Sequence, residues 1–261
     1  MKKYIVLFII LIFSTILLSG CKNKDDKQSD ELAKIKKKGY ITVGVKGDSI
    51  PFGYYINGNL TGLDIEIARK IASNIFNDNS FERVHFVIVN AQNRISMLNS
   101  GKIDIIVATM SVNEKRKLVV DFSTPYFTTS QKIMVRIGSK ITNLNYFNNK
   151  GKLAIILGTT GEKIAHIVAP NANVIGAKNY TQAAQMLSNY KVDAILGDDC
   201  ILKGIKESNF KIINRAYSKE FYAVAVRKSE NSKELLNVIN STIIQLLDKK
   251  EINLIKSHYG I

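Results

Sequence analysis

Only two of the 261 residues are cysteine, Cys21 and Cys200, and only three are histidine. If Cys21 is modified, Cys200 has no partner and a structural disulfide is excluded. A lone thiol beside Asp198 and Asp199 is either a reactive group or a small buried hydrophobe, and the second role is the commoner one. His85, His166 and His258 are far apart and share no local metal-ligand spacing. The spacings CxxC, HExxH, GxSxG and Walker A are all missing, so neither catalysis, a metal nor a cofactor is indicated. Long apolar runs are missing too. The longest, Tyr4 to Leu18, falls short of the roughly 20 residues that span a bilayer. No dense Arg/Lys stripe with interleaved aromatics exists, which argues against a nucleic-acid partner.

The features that are present begin at the N-terminus. Lys2 and Lys3 precede an unbroken apolar run from Tyr4 to Phe13, and a small-residue stretch follows and ends in Leu18-Ser19-Gly20-Cys21. A basic start, a short apolar core and small residues before a cut site are the parts of an export signal. Leu-Ser-Gly-Cys resembles a bacterial lipobox, which implies a lipid on Cys21 as the first residue of the mature chain. Residues 1–20 are then the signal peptide. Residues 22–30, KNKDDKQSD, are almost free of apolar side chains and read, with Cys21, as a flexible tether. The expected location is extracytoplasmic, anchored to the membrane by lipid.

Formal charge is +15 for the whole chain and about +13 without the signal. The lysines are scattered, which fits a solvated surface. The charge can still draw anionic solutes over distance, an effect that salt weakens. About 240 mature residues suffice for two modest domains.

Strand and helix patterns alternate from residue 40 onward. Tyr40–Val45, Val84–Val89 and Ile103–Ala108 read as strands. Between them, Leu63 to Phe76 places Leu63, Ile67, Ala68, Ile71 and Ile75 on one helical face, with Asp64 or Thr61 as its cap. A short helix over Arg94–Asn99 stops at Gly101. The pattern restarts after about residue 130, with a strand over Lys152–Leu157, a helix near Lys163–Val168 and a short strand at Val174. A helix over Gln182–Tyr190 and a strand over Asp193–Leu196 complete it. Phe221–Val226 reads as one further strand, and helices over Lys233–Leu247 and Ile252–Tyr259 close the chain. Two β-α-β units without a long linker predict an α/β protein of two lobes sharing a hinge.

Ligands of open α/β sheets bind beyond the carboxyl ends of strands. In this chain the strand ends lead into Lys46, Gly47, Asp48 and Ser49; Asn90 and Arg94; Thr109, Ser111 and Arg116; Gly158-Thr159-Thr160-Gly161; and Gly197-Asp198. Cations, hydroxyls, backbone-exposing turns and one or two carboxylates suit a small anionic or zwitterionic ligand.

Several stretches carry a family resemblance. Gly62-Leu63-Asp64-Ile65-Glu66-Ile67-Ala68 resembles the Gly-Phe-Asp-x-Asp-x-Ala box of bacterial amino-acid-binding proteins of ABC importers. Ser100-Gly101-Lys102-Ile103-Asp104 is similar to their Ser-Gly-Lys-x-Asp box. Ala108-Thr109-Met110-Ser111, Glu114-Lys115-Arg116-Lys117, Val120-Asp121-Phe122-Ser123 and Pro125-Tyr126 occur in matching order, and Gly158-Thr159-Thr160 and Val192-Asp193-Ala194 fit as well. The resemblance implies a two-lobed, type II periplasmic-binding-protein-like fold. Lobe one would be residues 31–128 with 223–261, lobe two residues 131–220, and the hinge two strands near 128–131 and 220–223.

It also implies roles. Arg116 would grip the ligand α-carboxylate through its fork of donors. Ala108, Ser111 and the backbone N–H groups of Thr109 and Thr160 would complete that cradle beside Thr159, and Asp198 would receive the α-ammonium. Tyr180 would add a hydroxyl. Lys46 and Arg94 are similar to the residues that hold a side-chain carboxylate in glutamate- or aspartate-binding relatives, with cysteine as the second candidate ligand. The alternative roles are an ion pair of Lys46 with Asp48 and a bracing role for Arg94. The expected partners are an ABC permease with its separate ATPase subunit, and the chain is expected to be a monomer. The rival readings are a dehydratase-type enzyme on the same scaffold and a sensory module.

Overall fold

A computed structural model describes residues 30–78 and 81–260. The proposed signal peptide, Cys21 and most of the tether lie outside the described residues. Strands and helices run in chain order: α1 (Glu31–Lys38), β1 (Ile41–Val45), β2 (Asp48–Ser49), β3 (Gly53–Ile56), β4 (Asn59–Thr61), α2 (Leu63–Phe76), β5 (Val84–Ile88), α3 (Arg94–Asn99), β6 (Ile105–Ile106), α4 (Glu114–Lys117) and β7 (Val120–Phe122). Then come β8 (Phe127–Thr129), β9 (Gln131–Arg136), β10 (Lys152–Ile156), α5 (Gly161–Val168), β11 (Asn173–Ala177), α6 (Tyr180–Ser188), β12 (Ala194–Asp198), α7 (Asp199–Gly204), β13 (Phe210–Ile213), β14 (Glu220–Tyr222), β15 (Ala225–Arg227), α8 (Lys233–Asp248) and α9 (Glu251–His258).

Two five-stranded sheets carry the fold. The first has the order β5-β1-β6-β15-β7 and the second β11-β10-β12-β9-β13. In each, three parallel strands adjoin antiparallel ones: β1 runs parallel to β5 and β6, and β10 to β11 and β12. The β1 and β10 sequences, ITVGV and KLAII, are nearly all apolar and almost fully buried, as strands covered on both faces must be. The chain passes from the first sheet to the second through β8 and returns through β14. These two segments pair antiparallel, Tyr222 opposite Phe127 and Glu220 opposite Thr129.

Helix α2 buries the apolar face that its spacing dictates, Leu63, Ile67, Ala68, Ile71 and Ile75. Each large side chain on that stripe contributes about 1.5–3 kcal/mol of burial. Its start differs from expectation. Gly62 is the N-cap and makes no side-chain cap bond. Thr61 instead meets the Tyr259 hydroxyl at 2.9 Å, and Asp64 turns inward. Helix α8 packs on α2 and α1, with Asn74 Nδ2 donating to Thr242 Oγ1 at 2.7 Å. The C-terminal helices therefore join the first sheet.

Two strands are shorter than the sequence suggests. β6 spans only Ile105–Ile106, though Asp104 and Val107 N–H groups still donate to the Thr42 and Gly44 carbonyls. The stretch from Phe221 to Val226 is not one strand. It divides at Ala223-Val224, because the chain leaves the β8 ladder there to enter the first sheet. A hairpin, β3–β4, turns at Asn57 and Gly58, both at positive φ, as such tight turns require.

Candidate functional site

A cleft of about 330 Å³, part of it open to solvent, is lined by Lys46, Ala91, Arg94, Thr109, Ser111, Arg116, Ile156, Thr159, Thr160, Tyr180 and Asp198. Lys46 lies just past β1, Thr109 just past β6, Ile156 ends β10 and Asp198 ends β12, so the site gathers at the carboxyl ends of strands from both sheets. Nine of the ten residues that sequence reasoning singled out for ligand contact lie on this wall. Ala108 does not. It is fully buried behind the wall, and its carbonyl accepts from Arg94 Nη1 at 2.6 Å.

Arg116 sits on α4, whose start is capped by the Asn113 side chain accepting from the Arg116 N–H at 2.9 Å. Its Nη1 donates to the Ser111 carbonyl at 2.6 Å. Its Nη2 donates to the Gly158 carbonyl at 3.1 Å, from the other sheet's side. Burial lowers its pKa, and the charges of Glu220 and Asp198 oppose that shift.

On the same cleft wall, Asp198 accepts from Gln131 Nε2 at 2.8 Å and lies 3.4 Å from the Tyr180 hydroxyl. That hydroxyl also accepts from the Asp198 N–H at 3.1 Å. Burial, then the neighbouring charge of Glu220, raises the Asp198 carboxyl to about 7. Its sequence neighbour Asp199 is engaged elsewhere, with Lys203 at 3.0 Å and Lys132 at 3.4 Å.

One expected donor is already committed. The Thr109 N–H does not face the cleft: it donates to Asp64 Oδ2 at 2.8 Å, with Thr109 held at φ +46°. Asp64 is fully buried and also accepts from the Tyr126 hydroxyl at 2.7 Å. It thereby shapes the wall from behind, and burial raises it to about 6. The Thr159 hydroxyl donates to the Ile156 carbonyl at 2.7 Å and closes the turn before α5. Thr160 begins that helix without a side-chain cap bond, and its hydroxyl accepts from Gln131 at 3.2 Å.

At the other end of the cleft, Lys46 is buried and pairs with Asp48 at 2.9 Å. Burial lowers its pKa, and Asp48 opposes the shift. Arg94 is buried as well. Besides its bond to Ala108 it has an Nε–H with no partner among the described residues. Burial, and after it the charge of Arg116, lowers its pKa to about 9, so it stays protonated at neutral pH.

Sequence reasoning missed Gln131, Ala91, Ile156 and the inward turn of Asp64. Gln131 lies 29 residues from Thr160 and 67 from Asp198, its side-chain partners, separations that no local pattern reports. Cys200 is buried, 3.6 Å from the Tyr222 hydroxyl, and burial raises its thiol to about 12. It is the small buried hydrophobe. Among the described residues no cluster of His, Cys, Asp or Glu is placed to hold a metal, and no helix is long and apolar enough to cross a membrane.

Comparisons with known proteins agree with this architecture. The chain is 35% identical over 254 residues to the ABC transporter glutamine-binding protein GlnH of Bacillus subtilis, covering 93% of this chain and 92% of that one. It is 33% identical to the glutamine-binding protein of Geobacillus stearothermophilus, covering 87% and 93%. The crystal structure of the cysteine-binding protein from Campylobacter jejuni superposes with a TM-score of 0.82 at 31% identity, covering 88% of this chain and 93% of that one. The family model of bacterial extracellular solute-binding proteins, family 3, matches residues 41–261, and the chain belongs to that family.

Proposed function

We propose that this protein captures a free amino acid in the cleft and delivers it to an ABC permease driven by a separate ATPase subunit. The observation that carries the reading is that Arg116 and Asp198 line one cleft, near enough for each charge to act on the other. A guanidinium and a carboxylate so placed answer the α-carboxylate and α-ammonium of a zwitterion. Arg116 is held by carbonyls of Ser111 and Gly158, so its fork is aimed before a ligand arrives.

For the side chain of the ligand, a carboxamide fits best, and glutamine is the proposed ligand. Lys46 lines the cleft with its counter-charge, Asp48, already beside it, so it offers a donor to an amide oxygen without calling for a ligand carboxylate. Charge agrees. Lys46 is matched by Asp48, and Arg94 and Arg116 face the fields of Asp64, Glu220 and Asp198. Among the described residues that line the cleft, no cation is left over for a second ligand carboxylate, whose burial without one is costly. The relatives at 35% and 33% identity are glutamine-binding proteins. Glutamate or aspartate is the second reading. The partnerless Nε–H of Arg94 favours it, and so would release of Lys46 from Asp48.

The two crossings through β8 and β14 divide the chain into lobe one (31–128 and 223–261) and lobe two (131–220), with the ligand bridging them. A lipid on Cys21 would hold the protein, as a monomer, at the membrane face. Isothermal titration of ligand-free protein with glutamine, glutamate, aspartate and cysteine tests the specificity. Tighter binding of glutamate than of glutamine overturns the carboxamide reading, and no binding of any overturns the amino-acid site.

A further inference from the structure

We infer that Gln131 is the positioning residue of the cleft. Its carboxamide fixes the Asp198 carboxylate and the Thr160 hydroxyl in one arrangement, so that the ammonium-binding carboxylate and the start of α5 are set together. The inference rests on the cleft being an amino-acid site.

Gln131 opens β9 and lies opposite Asp198 of β12 in the ladder register. It is fully buried. One NH₂ group serves two acceptors, Asp198 Oδ1 at 2.8 Å and Thr160 Oγ1 at 3.2 Å. The first is the carboxylate proposed to receive the ligand ammonium. The second belongs to the residue that starts α5 on the cleft wall. Charge dictates this orientation of the amide, because the flipped form would set the amide oxygen against a carboxylate oxygen.

The backbone of Gln131 is fastened as well. Its N–H donates to Ser218 Oγ at 3.2 Å, and that hydroxyl donates to Glu220 Oε1 at 2.7 Å on the returning strand. Its carbonyl accepts from the Tyr217 N–H at 2.9 Å. Its Oε1 has no hydrogen-bond partner among the described residues, and Gly161 leaves room for it: a Cβ on residue 161 would come within 3.3 Å. Gln131 thus connects the ammonium end, the helix start and the chain crossing.

Asp198 is faced by Tyr180 of α6, Tyr222 and Glu220 of β14, Arg116 of α4, Arg94 of α3 and Cys200 of α7. Burial and Glu220 favour its neutral form, while the tyrosines and Arg116 favour the carboxylate. A donor to the charged form holds that form in place, and the Gln131 amide is such a donor. Its removal therefore raises the proton affinity of Asp198 and frees the Thr160 hydroxyl.

The test is titration of glutamine into wild type, Gln131→Met and Gln131→Glu between pH 5.5 and 8.5, with melting of each ligand-free protein alongside. Gln131→Met should bind about tenfold more weakly at pH 7. The deficit should shrink toward pH 8.5, and the acid limb of the affinity profile should move to higher pH. Gln131→Glu adds a carboxylate and should move the limb further in the same direction; it decides the question alone if Gln131→Met does not fold. A loss by one factor at every pH, or no loss, overturns the inference. If wild type binds no amino acid, the reading of the cleft fails instead. The side-chain carboxyl of Asp198, monitored by NMR in wild type and variant, then decides: equal titration midpoints overturn the positioning role.

Discussion

Arg116 reaches from α4 to the carbonyl oxygen of Gly158 at 3.1 Å, joining an element beside the first sheet to a turn of the second. Gly158 sits at φ +79°, and a Cβ there would lie 2.9 Å from the Ala91 carbonyl carbon. The arginine proposed to hold the ligand is thus also a bond between the two halves. Its position depends on a turn that tolerates no side chain.

Arg116→Ala should therefore remove most amino-acid binding. A hydrogen bond to a charged group is worth about 1.5–3 kcal/mol, and a stranded ligand carboxylate costs more. Titration should show a loss of roughly a hundredfold or greater, with ligand-free melting little changed. A loss below about threefold would place Arg116 outside the binding step.

A second contact between the halves is steric. Gly204 ends α7 with a backbone conformation open to any residue, yet a Cβ there would lie 2.8 Å from the Ile50 carbonyl carbon and closer still to its oxygen. Gly204→Ala should leave α7 intact and hold the halves apart, weakening binding about tenfold or more given overpacking costs of roughly 1–3 kcal/mol. Small-angle scattering with saturating ligand should report a larger radius than wild type. Unchanged affinity and radius would show that this approach is not needed.

The Lys46–Asp48 pair sets the proposed choice between amide and acid. Asp48→Asn removes the counter-charge and frees Lys46 for a ligand carboxylate. The affinity ratio of glutamate to glutamine should rise by about tenfold, within the range of charged hydrogen bonds. An unchanged ratio in paired titrations would remove both residues from the side-chain end of the site.

Acidification should weaken binding. Asp198 titrates near 7 and Asp64 near 6, both raised by burial from an unfolded value of 3.8. The folded chain then binds more protons than the unfolded chain between about pH 4 and 7. The contribution of these groups to stability falls as pH rises through that window. Ligand affinity, which needs a charged Asp198, should fall as pH drops from 8 to 5.5, while these two carboxyls favour the ligand-free fold. Asp198→Asn should bind poorly and without that slope. An Asp198→Asn profile parallel to that of wild type would assign the proton to another group.

Cys21→Ala tests the anchor. The variant should leave the membrane fraction, or remain uncleaved and migrate more slowly than wild type. Identical fractionation and migration would show that no lipid on Cys21 holds the protein.

The strand ends were the legible part of the site. Arg116, Asp198, Thr160 and Lys46 each come after an apolar run, and the carboxyl-end rule points to them. The partners that fix those residues were not legible. Asp64 lies 45 residues from Thr109 and Gln131 lies 67 from Asp198, and only folding brings them together. The Lys46–Asp48 pairing was visible as an alternative, because the two are neighbours in sequence. Which alternative holds depends on how deeply Lys46 is buried. In the fold, the three closely spaced apolar strands and the amphipathic α2 were readable. The Asn57-Gly58 turn carries a hairpin signal that the helix-strand alternation does not use, and α1 and β9 fall outside the repeating β-α units.

The paired crossings at β8 and β14 have a mechanical consequence. Two bodies joined by a single strand can swivel, tilt and drift independently. Here two strands lie side by side and are hydrogen-bonded to each other from Phe127–Thr129 to Glu220–Tyr222. Twisting one half against the other would shear that ladder, whereas bending across it leaves the bonds in place. Relative motion is thereby reduced to nearly one degree of freedom, like the leaves of a book along its spine. A partner reading the outer surface would meet a single angle, and one coordinate would tell it whether the cleft is full.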